Sequence, residues 1–147
     1  MTPNNKNFAL IGVAGYIAER HVRAIRDTNN NLLASLDPFD SVGFIDSYFP
    51  DADFFTEFER FDRHIARLNR LGTKVDYVSI CSPNYLHDSH IRFALRNEAE
   101  AICEKPVVLN PWNIDALLDY EHEMGKKVWN ILQLRHHPSI DGLREQI

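Results

Sequence analysis

The chain has 147 residues, enough for one domain with a buried core, and its 44% hydrophobic and 25% charged residues are the proportions of an ordinary globular protein. A net charge of −5 with no basic stretch leaves no electrostatic footprint for a nucleic-acid backbone, and no apolar run reaches the length of a membrane span. Met1–Asn7 is short and polar, lacks the apolar centre of a signal peptide, and reads as a frayed tail on a cytoplasmic protein.

Apolar runs alternate with amphipathic stretches along the whole chain. Phe8–Val13 is short and almost continuously apolar, as a buried parallel strand requires. Tyr16–Thr28 follows as a helix with Ile17, His21, Ala24 and Ile25 on one face, and Asn29–Asn31 is the turn after it. Asn31–Leu36 is the second strand, closed by Asp37. Ser41–Phe49 reads as a short helix stopped by Pro50, and Asp53–Thr56 as a short third strand.

Glu57–Leu71 carries Phe58, Phe61, Ile65, Leu68 and Leu71 at three- and four-residue intervals, so a helix is predicted there with Gly72 ending it. Val75–Cys81 is a β-branched strand. Leu86–Asn97 is a helix with Ile91, Ala94 and Leu95 inward, and Ala101–Glu104 is the next strand. Asn110 has the character of an N-cap with Pro111 at the first helical position, and the helix runs to Met124 before Gly125. Val128–Leu134 is a last strand, and Pro138–Ile147 begins another helix. The two cysteines, Cys81 and Cys103, sit inside apolar runs without CxxC spacing, so they read as small buried hydrophobes and not as a disulfide or redox pair.

Strand and helix in strict alternation imply parallel strands joined by right-handed crossovers. The expected architecture is an α/β doubly wound parallel sheet of about six strands with helices on both faces, the Rossmann arrangement. Ligands bind such sheets at the carboxyl ends of the strands. Three features fall there.

The first strand runs into Gly12-Val13-Ala14-Gly15-Tyr16-Ile17-Ala18, a GxxGxxA pattern. Gly12 suits a tight turn, Gly15 close approach of a pyrophosphate, and Ala18 close packing of the helix on the strand. The helix start then offers N–H groups, including those of Tyr16 and Ile17, to phosphate. Asp37 ends the second strand where a carboxylate accepts hydrogen bonds from a ribose 2′-hydroxyl, which favours NAD over NADP. The competing readings are an ordinary tight turn and an exposed acid in an Asp-Pro turn. The other two features are Cys81-Ser82-Pro83-Asn84-Tyr85-Leu86-His87 after the fourth strand and Cys103-Glu104-Lys105-Pro106 after the fifth. A Glu-Lys pair at the close of a buried strand is either paired, solvent-facing or functional. Pro106 is a position at which a cis peptide bond is accessible. His87 and His90, three apart, and the adjacent His136 and His137 lack an acid or cysteine set at ligand spacing, so no metal site is expected.

These three motifs in this order resemble the Gfo/Idh/MocA oxidoreductase family: a glycine turn near the amino terminus, Ser82-Pro83-Asn84-Tyr85-Leu86-His87, and Glu104-Lys105-Pro106. The glycine turn is one residue longer than the commonest family form. The segments Gly12–Ala18, Asp40–Gly43, Ile80–His87 and Asn130–His137 are similar to one branch, the UDP-N-acetyl-glucosaminuronate 3-dehydrogenases of bacterial surface-polysaccharide (O-antigen) synthesis. The resemblance implies NAD as cofactor, a nucleotide sugar as substrate, oxidation of its 3-hydroxyl, and a homo-oligomer when full length. It implies Lys105 as the catalytic residue. Ser82, Asn84, His87, Glu104, Lys105, Gln133 and Arg135 would then shape the ribose and nicotinamide wall; for His87 a solvated histidine at a helix start is the alternative. It also implies that residues 1–137 are the cofactor domain, that residues 138–147 begin the connection to a substrate domain, and that partner groups for Lys105 lie beyond Ile147. The alternatives are a dinucleotide-binding module without catalysis, and a family dehydrogenase acting on a free sugar or inositol.

Overall fold

The computed structural model describes residues 5–40 and 42–144. Most of the tail expected to fray, Ser41 at the start of the expected short helix, and the last three residues of the helix expected over Pro138–Ile147 lie outside the described residues. The strands are β1 (Asn7–Ile11), β2 (Asn31–Leu36), β3 (Asp53–Phe55), β4 (Tyr77–Ile80), β5 (Glu100–Cys103) and β6 (Val128–Asn130). The helices are α1 (Ala18–Asp27), α2 (Phe44–Tyr48), α3 (Phe58–Arg70), α4 (His87–Arg96), α5 (Asn113–Met124) and α6 (Pro138–Arg144). The sheet order is β3-β2-β1-β4-β5-β6 with every described pair parallel, which is the doubly wound arrangement expected.

Side chains of a strand alternate between faces, and the two cores follow that parity except in β2, where a register shift at Leu33 sends Leu32 and Ala34 to opposite faces. Ala9, Ile11, Ala34, Leu36, Val78, Ile80, Ala101 and Cys103 face one way, onto Phe61 and Ile65 of α3, Ile91, Ala94 and Leu95 of α4, and Leu117 of α5. Phe8, Leu10 and Leu32 face the other way, onto Ala18, Val22 and Ile25 of α1 and Ile45 of α2. Phe61 and Phe93 are the largest fully buried side chains, and burial of each contributes about 1.5–3 kcal/mol. Cys81 and Cys103 are buried free thiols, as expected. Burial, and then the charge of Glu104, pushes both upward, Cys103 to about 12, so neither is a nucleophile at neutral pH.

Several expected boundaries and facings are corrected. Helix α1 begins at Ala18 and not Tyr16, because residues 12–18 close i-to-i+3 turns first, Gly15 N–H donating to Gly12 O and Ala18 N–H to Gly15 O. Its buried face is Ala18, Val22 and Ile25, and Ala24 is exposed. Leu71 is 68% exposed, because Gly72 turns the chain out of α3 immediately after it. Helix α5 starts at Asn113; Asn110 still caps, but its Oδ1 accepts the Trp112 N–H in the preceding turn. Strand β6 ends at Asn130, four residues short of the expected Leu134. It lies at the sheet edge and pairs only with β5, whose last residue, Cys103, faces Asn130. The Ile131 N–H still donates to the Cys103 carbonyl at 2.9 Å, and the chain then coils into a 3-10 turn at Gln133–His136.

Candidate functional site

Register decides which residues meet. Phe55, Leu36, Ile11, Ile80, Cys103 and Asn130 form one row across the sheet. The next residue of each strand, Thr56, Asp37, Gly12, Cys81, Glu104 and Ile131, therefore stands along the carboxyl edge. The glycine turn, the acid and both later motifs converge there.

Gly12 has φ +83°, in the left-handed region, and a Cβ on it would lie 2.5 Å from the carbonyl carbon of Cys81 and from the Ser82 nitrogen. The β1–α1 turn thus passes against the backbone of the β4 loop with no space for a side chain. Its amides are mostly engaged. Those of Gly12 and Val13 donate to the Leu36 carbonyl, that of Ala14 to Asp37 Oδ2 at 2.9 Å, and that of Gly15 to Gly12. The amides of Tyr16 and Ile17 have no acceptor among the described residues and stand at the start of α1, where an anion is favoured. Asp37 is only 6% exposed; its Oδ1 accepts the Phe39 N–H at 2.9 Å. It is a buried brace between β2 and the glycine turn, and the alternative of an exposed turn acid is excluded.

A cleft of about 1150 Å³ opens at this edge. Gly12, Gly15, Asp37 and Ser82 line it, and so do Phe39 and Tyr85, each 71% exposed. A second hollow of about 330 Å³ lies on the α1 face, between Ile17, Glu104, Ile131 and Gln133. Seven of the expected site residues, Gly12, Gly15, Ile17, Asp37, Ser82, Glu104 and Gln133, are therefore divided between two hollows that flank the glycine turn, and Tyr16, Asn84, His87, Lys105 and Arg135 line neither. An open cleft with a buried carboxylate and exposed aromatic faces, beside the free amides at the start of α1, gives a donor and acceptor set that fits a dinucleotide: anion, diol and ring.

The parity of β5 sends Glu104 to the same face as Ile102, towards α1. There His21 Nε2 lies 3.0 Å from Glu104 Oε1, and His21 Nδ1 lies 2.6 Å from Ser79 Oγ. Glu104 is 7% exposed and is satisfied by His21, not by its neighbour Lys105. Lys105 is exposed and forms no ion pair among the described residues. The Lys105-Pro106 bond is cis.

His87 corrects both readings made of it. It is neither solvated nor on the cleft wall: it is fully buried, with Nδ1 2.6 Å from the Pro106 carbonyl and Nε2 2.8 Å from the Ser82 carbonyl. Ser82 Oγ in turn meets His90 Nδ1 at 2.8 Å. Burial, and then the charge of His87, lowers the His90 pKa to about 4, so His90 is neutral at ordinary pH. Asn84, Gln133 and Arg135 are exposed; the last two ride on the 3-10 turn and not on a strand end. Sequence reasoning did not select Phe39, Tyr85, Ser79, His21 or His90 for the site. The available signals were an aromatic two residues after Asp37, a polar residue inside the β4 run, and a histidine on the apolar face of α1.

Residues 6–132 match the Gfo/Idh/MocA oxidoreductase family, NAD-binding Rossmann fold, and the chain belongs to that family. A solved structure of the WlbA (WbpB) dehydrogenase from Thermus thermophilus, in complex with NAD and UDP-GlcNAcA, is 50% identical and superposes with a TM-score of 0.94 over 96% of this chain and 46% of that one. The D-glucoside 3-dehydrogenase of Escherichia coli (strain K12) is 34% identical over 77 residues, 52% of this chain and 22% of that protein. The WlbA dehydrogenase from Bordetella pertussis, in complex with NADH and UDP-GlcNAcA, shares the fold with a TM-score of 0.81 at 16% identity, covering 97% of this chain and 41% of that one. The chain thus spans less than half the length of these relatives. Among the described residues no helix is long and apolar enough to cross a membrane.

Two outcomes follow from this geometry. Gly12→Ala places a methyl against backbone that cannot move and forces a left-handed alanine, so it should cost about 2–5 kcal/mol in urea unfolding, well above Gly15→Ala. Equal losses for the two variants would contradict the close approach at Gly12. His90 also makes stability pH-dependent. Its folded pKa lies below the unfolded value, so between pH 6.5 and pH 4 the unfolded chain binds a proton that the folded chain refuses. Stability should fall as pH drops through that window, by on the order of 3 kcal/mol from this group, and His90→Gln should flatten that part of the profile. An unchanged profile in the variant would assign the acid sensitivity to other groups.

Proposed function

We propose that this chain is the cofactor-binding half of an NAD-dependent oxidoreductase that oxidises the 3-hydroxyl of a nucleotide sugar of the UDP-N-acetylglucosaminuronate type. The observation that carries the reading is the 50% identity, over 96% of the chain, to a dehydrogenase solved with NAD and UDP-GlcNAcA. The name of the Escherichia coli relative supports reaction at a sugar 3-position. The greater length of the relatives supports a division in which residues 1–137 hold the cofactor and residues 138–147 lead to a substrate domain. On this reading the enzyme is a homo-oligomer that works in the cytoplasm, where nucleotide sugars and NAD are available, and serves surface-polysaccharide synthesis.

NAD, when bound, supplies the acceptor for the hydride that leaves C3. The chain's own residues bind, orient and move the proton. The amides of Tyr16 and Ile17 hold the pyrophosphate against the start of α1, and Gly15, without a side chain, lets it approach. Asp37, still able to accept through its remaining lone pairs, takes the ribose diol and repels the additional phosphate of NADP. Ser82 and Asn84 shape the nicotinamide side with Glu104, whose carboxylate is aimed by His21, and Gln133 and Arg135 form the far wall. Lys105 hydrogen-bonds the reacting oxygen and relays its proton. The Escherichia coli relative favours a second reading in which the substrate is a glucoside without a nucleotide.

Two measurements test this. By calorimetry the chain should bind NAD more tightly than NADP, and Asp37→Ala should narrow the difference; equal affinities in the unmodified chain would remove Asp37 from its role. In the longer enzyme that carries this domain, Lys105→Met should lower turnover at saturating NAD by roughly a hundredfold or more. Turnover within a few-fold of the original would leave Lys105 structural and the chain a binding module as far as its own residues are concerned. Assays with UDP-GlcNAcA and with a simple glucoside separate the two substrate readings.

A further inference from the structure

His87 is the first residue of α4, and its ring is fully buried beneath two loops. Its Nδ1 is 2.6 Å from the Pro106 carbonyl and its Nε2 is 2.8 Å from the Ser82 carbonyl. Both partners are acceptors with no hydrogen to offer. A neutral imidazole has one N–H and one lone pair, so it can satisfy one of these carbonyls and would point its lone pair at the other. Only a ring with a hydrogen on each nitrogen makes both bonds. Hydrogen bonds from a charged donor are shorter and stronger than neutral ones, and distances of 2.6 and 2.8 Å fit that type.

The position opposes a cation in two respects: a fully buried ring loses the hydration of its charge, and the start of a helix carries a partial positive charge. Against these stand two charge-assisted bonds, which are strong in a dry site. The neighbouring histidine fits the same division. His90, one turn along α4, is held neutral chiefly by burial, and it pairs with the Ser82 hydroxyl. Ser82 is therefore gripped twice from α4, by its carbonyl and by its side chain. Pro106, the other carbonyl that His87 holds, directly follows Lys105. Ile91, Ala94 and Leu95 fix α4 in the core, so the ring is a strut of fixed length between the two motif loops.

We propose that His87 carries a hydrogen on both ring nitrogens and acts as a positioning residue, fastening the Lys105-Pro106 turn to the Ser82 loop and so setting where Lys105 stands at the nicotinamide end of the site. The protonation and the fastening rest on the geometry alone; the consequence for Lys105 rests on the NAD reading given above.

The test has two parts, both on this chain. Imidazole-labelled nitrogen NMR at neutral pH should show two protected ring N–H groups for His87. One N–H and one lone-pair nitrogen overturns the double donor. His87→Asn should then be titrated with NAD and with ADP-ribose, which lacks the nicotinamide. A strut acting on the Lys105 turn predicts a roughly tenfold loss of NAD affinity, with ADP-ribose held within about twofold. A parallel loss of both ligands, or an unchanged ratio, overturns the positioning role. If the variant does not fold, the ring spectrum of the unmodified chain still decides on the double donor, and Lys105→Met decides the coupling: with its ammonium removed, NAD should lose affinity relative to ADP-ribose if the turn reaches the nicotinamide, and an unchanged ratio overturns it. If the unmodified chain binds neither ligand, the NAD reading fails, and with it the positioning of Lys105.

Discussion

The site depends on one close approach, that of the Gly12 Cα to the backbone of Cys81 and Ser82. A side chain there would need to occupy space 2.5 Å from atoms that belong to a neighbouring strand end. Because none is present, the β1–α1 turn and the β4 loop share one edge and not two separated rims. The consequences spread outward. The turn is close enough to β2 for Asp37 to accept the Ala14 amide, and that bond buries Asp37 at the same edge. The amides of Tyr16 and Ile17 are then left over at the start of α1 with no acceptor among the described residues. A glycine whose own function is only to be small therefore determines where an acid and two amides stand.

Parity does the rest. A strand that enters the edge in one register sends successive residues to opposite faces, so adjacent residues of one motif acquire opposite fates. In Glu104-Lys105 the glutamate is drawn towards α1 and hydrogen-bonded by His21, itself held by Ser79, while the lysine is left exposed with no ion pair among the described residues. A buried carboxylate is costly unless its oxygens are engaged, and His21 engages one of them. This separation is what frees Lys105: a lysine tied to the adjacent glutamate would have its donors occupied.

Legibility in the sequence followed the same line between pattern and register. The β-branched run at Val75–Cys81, the periodicity of Phe61 and Ile65 in α3, and Gly125 after α5 were readable, because each reports a local preference that tertiary contacts only reinforce. The identity of the edge residues Gly12, Asp37, Ser82 and Glu104 was readable too, because a doubly wound sheet places all strand ends at one edge. What could not be read was partnership. The continuation of β6 to Leu134 failed because the length of an edge strand is set by its neighbour, and β5 ends at Cys103. Ala24 and Leu71 satisfied helical spacing yet remain exposed, since spacing selects a face but not what covers it. His21, Ser79 and His90 are single polar residues in apolar patterns. His21 acquires its meaning only when Ser79 and Glu104, 58 and 83 positions away, come into contact with it, and His90 only when the loop before α4 folds Ser82 back onto it.

The histidines show how the same side chain is put to different uses by what surrounds it. His21 faces a hydroxyl and a carboxylate, and one N–H with one lone pair satisfies both. His90 faces a single hydroxyl in a buried place and is held neutral. His87 faces two carbonyls, and no arrangement with a single N–H can serve them. The three rings sit within reach of the same edge, and each fixes a loop by a different count of donors and acceptors. A dinucleotide site needs its loops held to a fraction of an ångström while leaving the loop amides free for the ligand. Side chains reaching the loops from behind, and bonding to their carbonyls and hydroxyls, meet both demands. For that reason these three histidines reach the loops from behind, and Lys105, which follows Glu104 at the same edge, is left exposed.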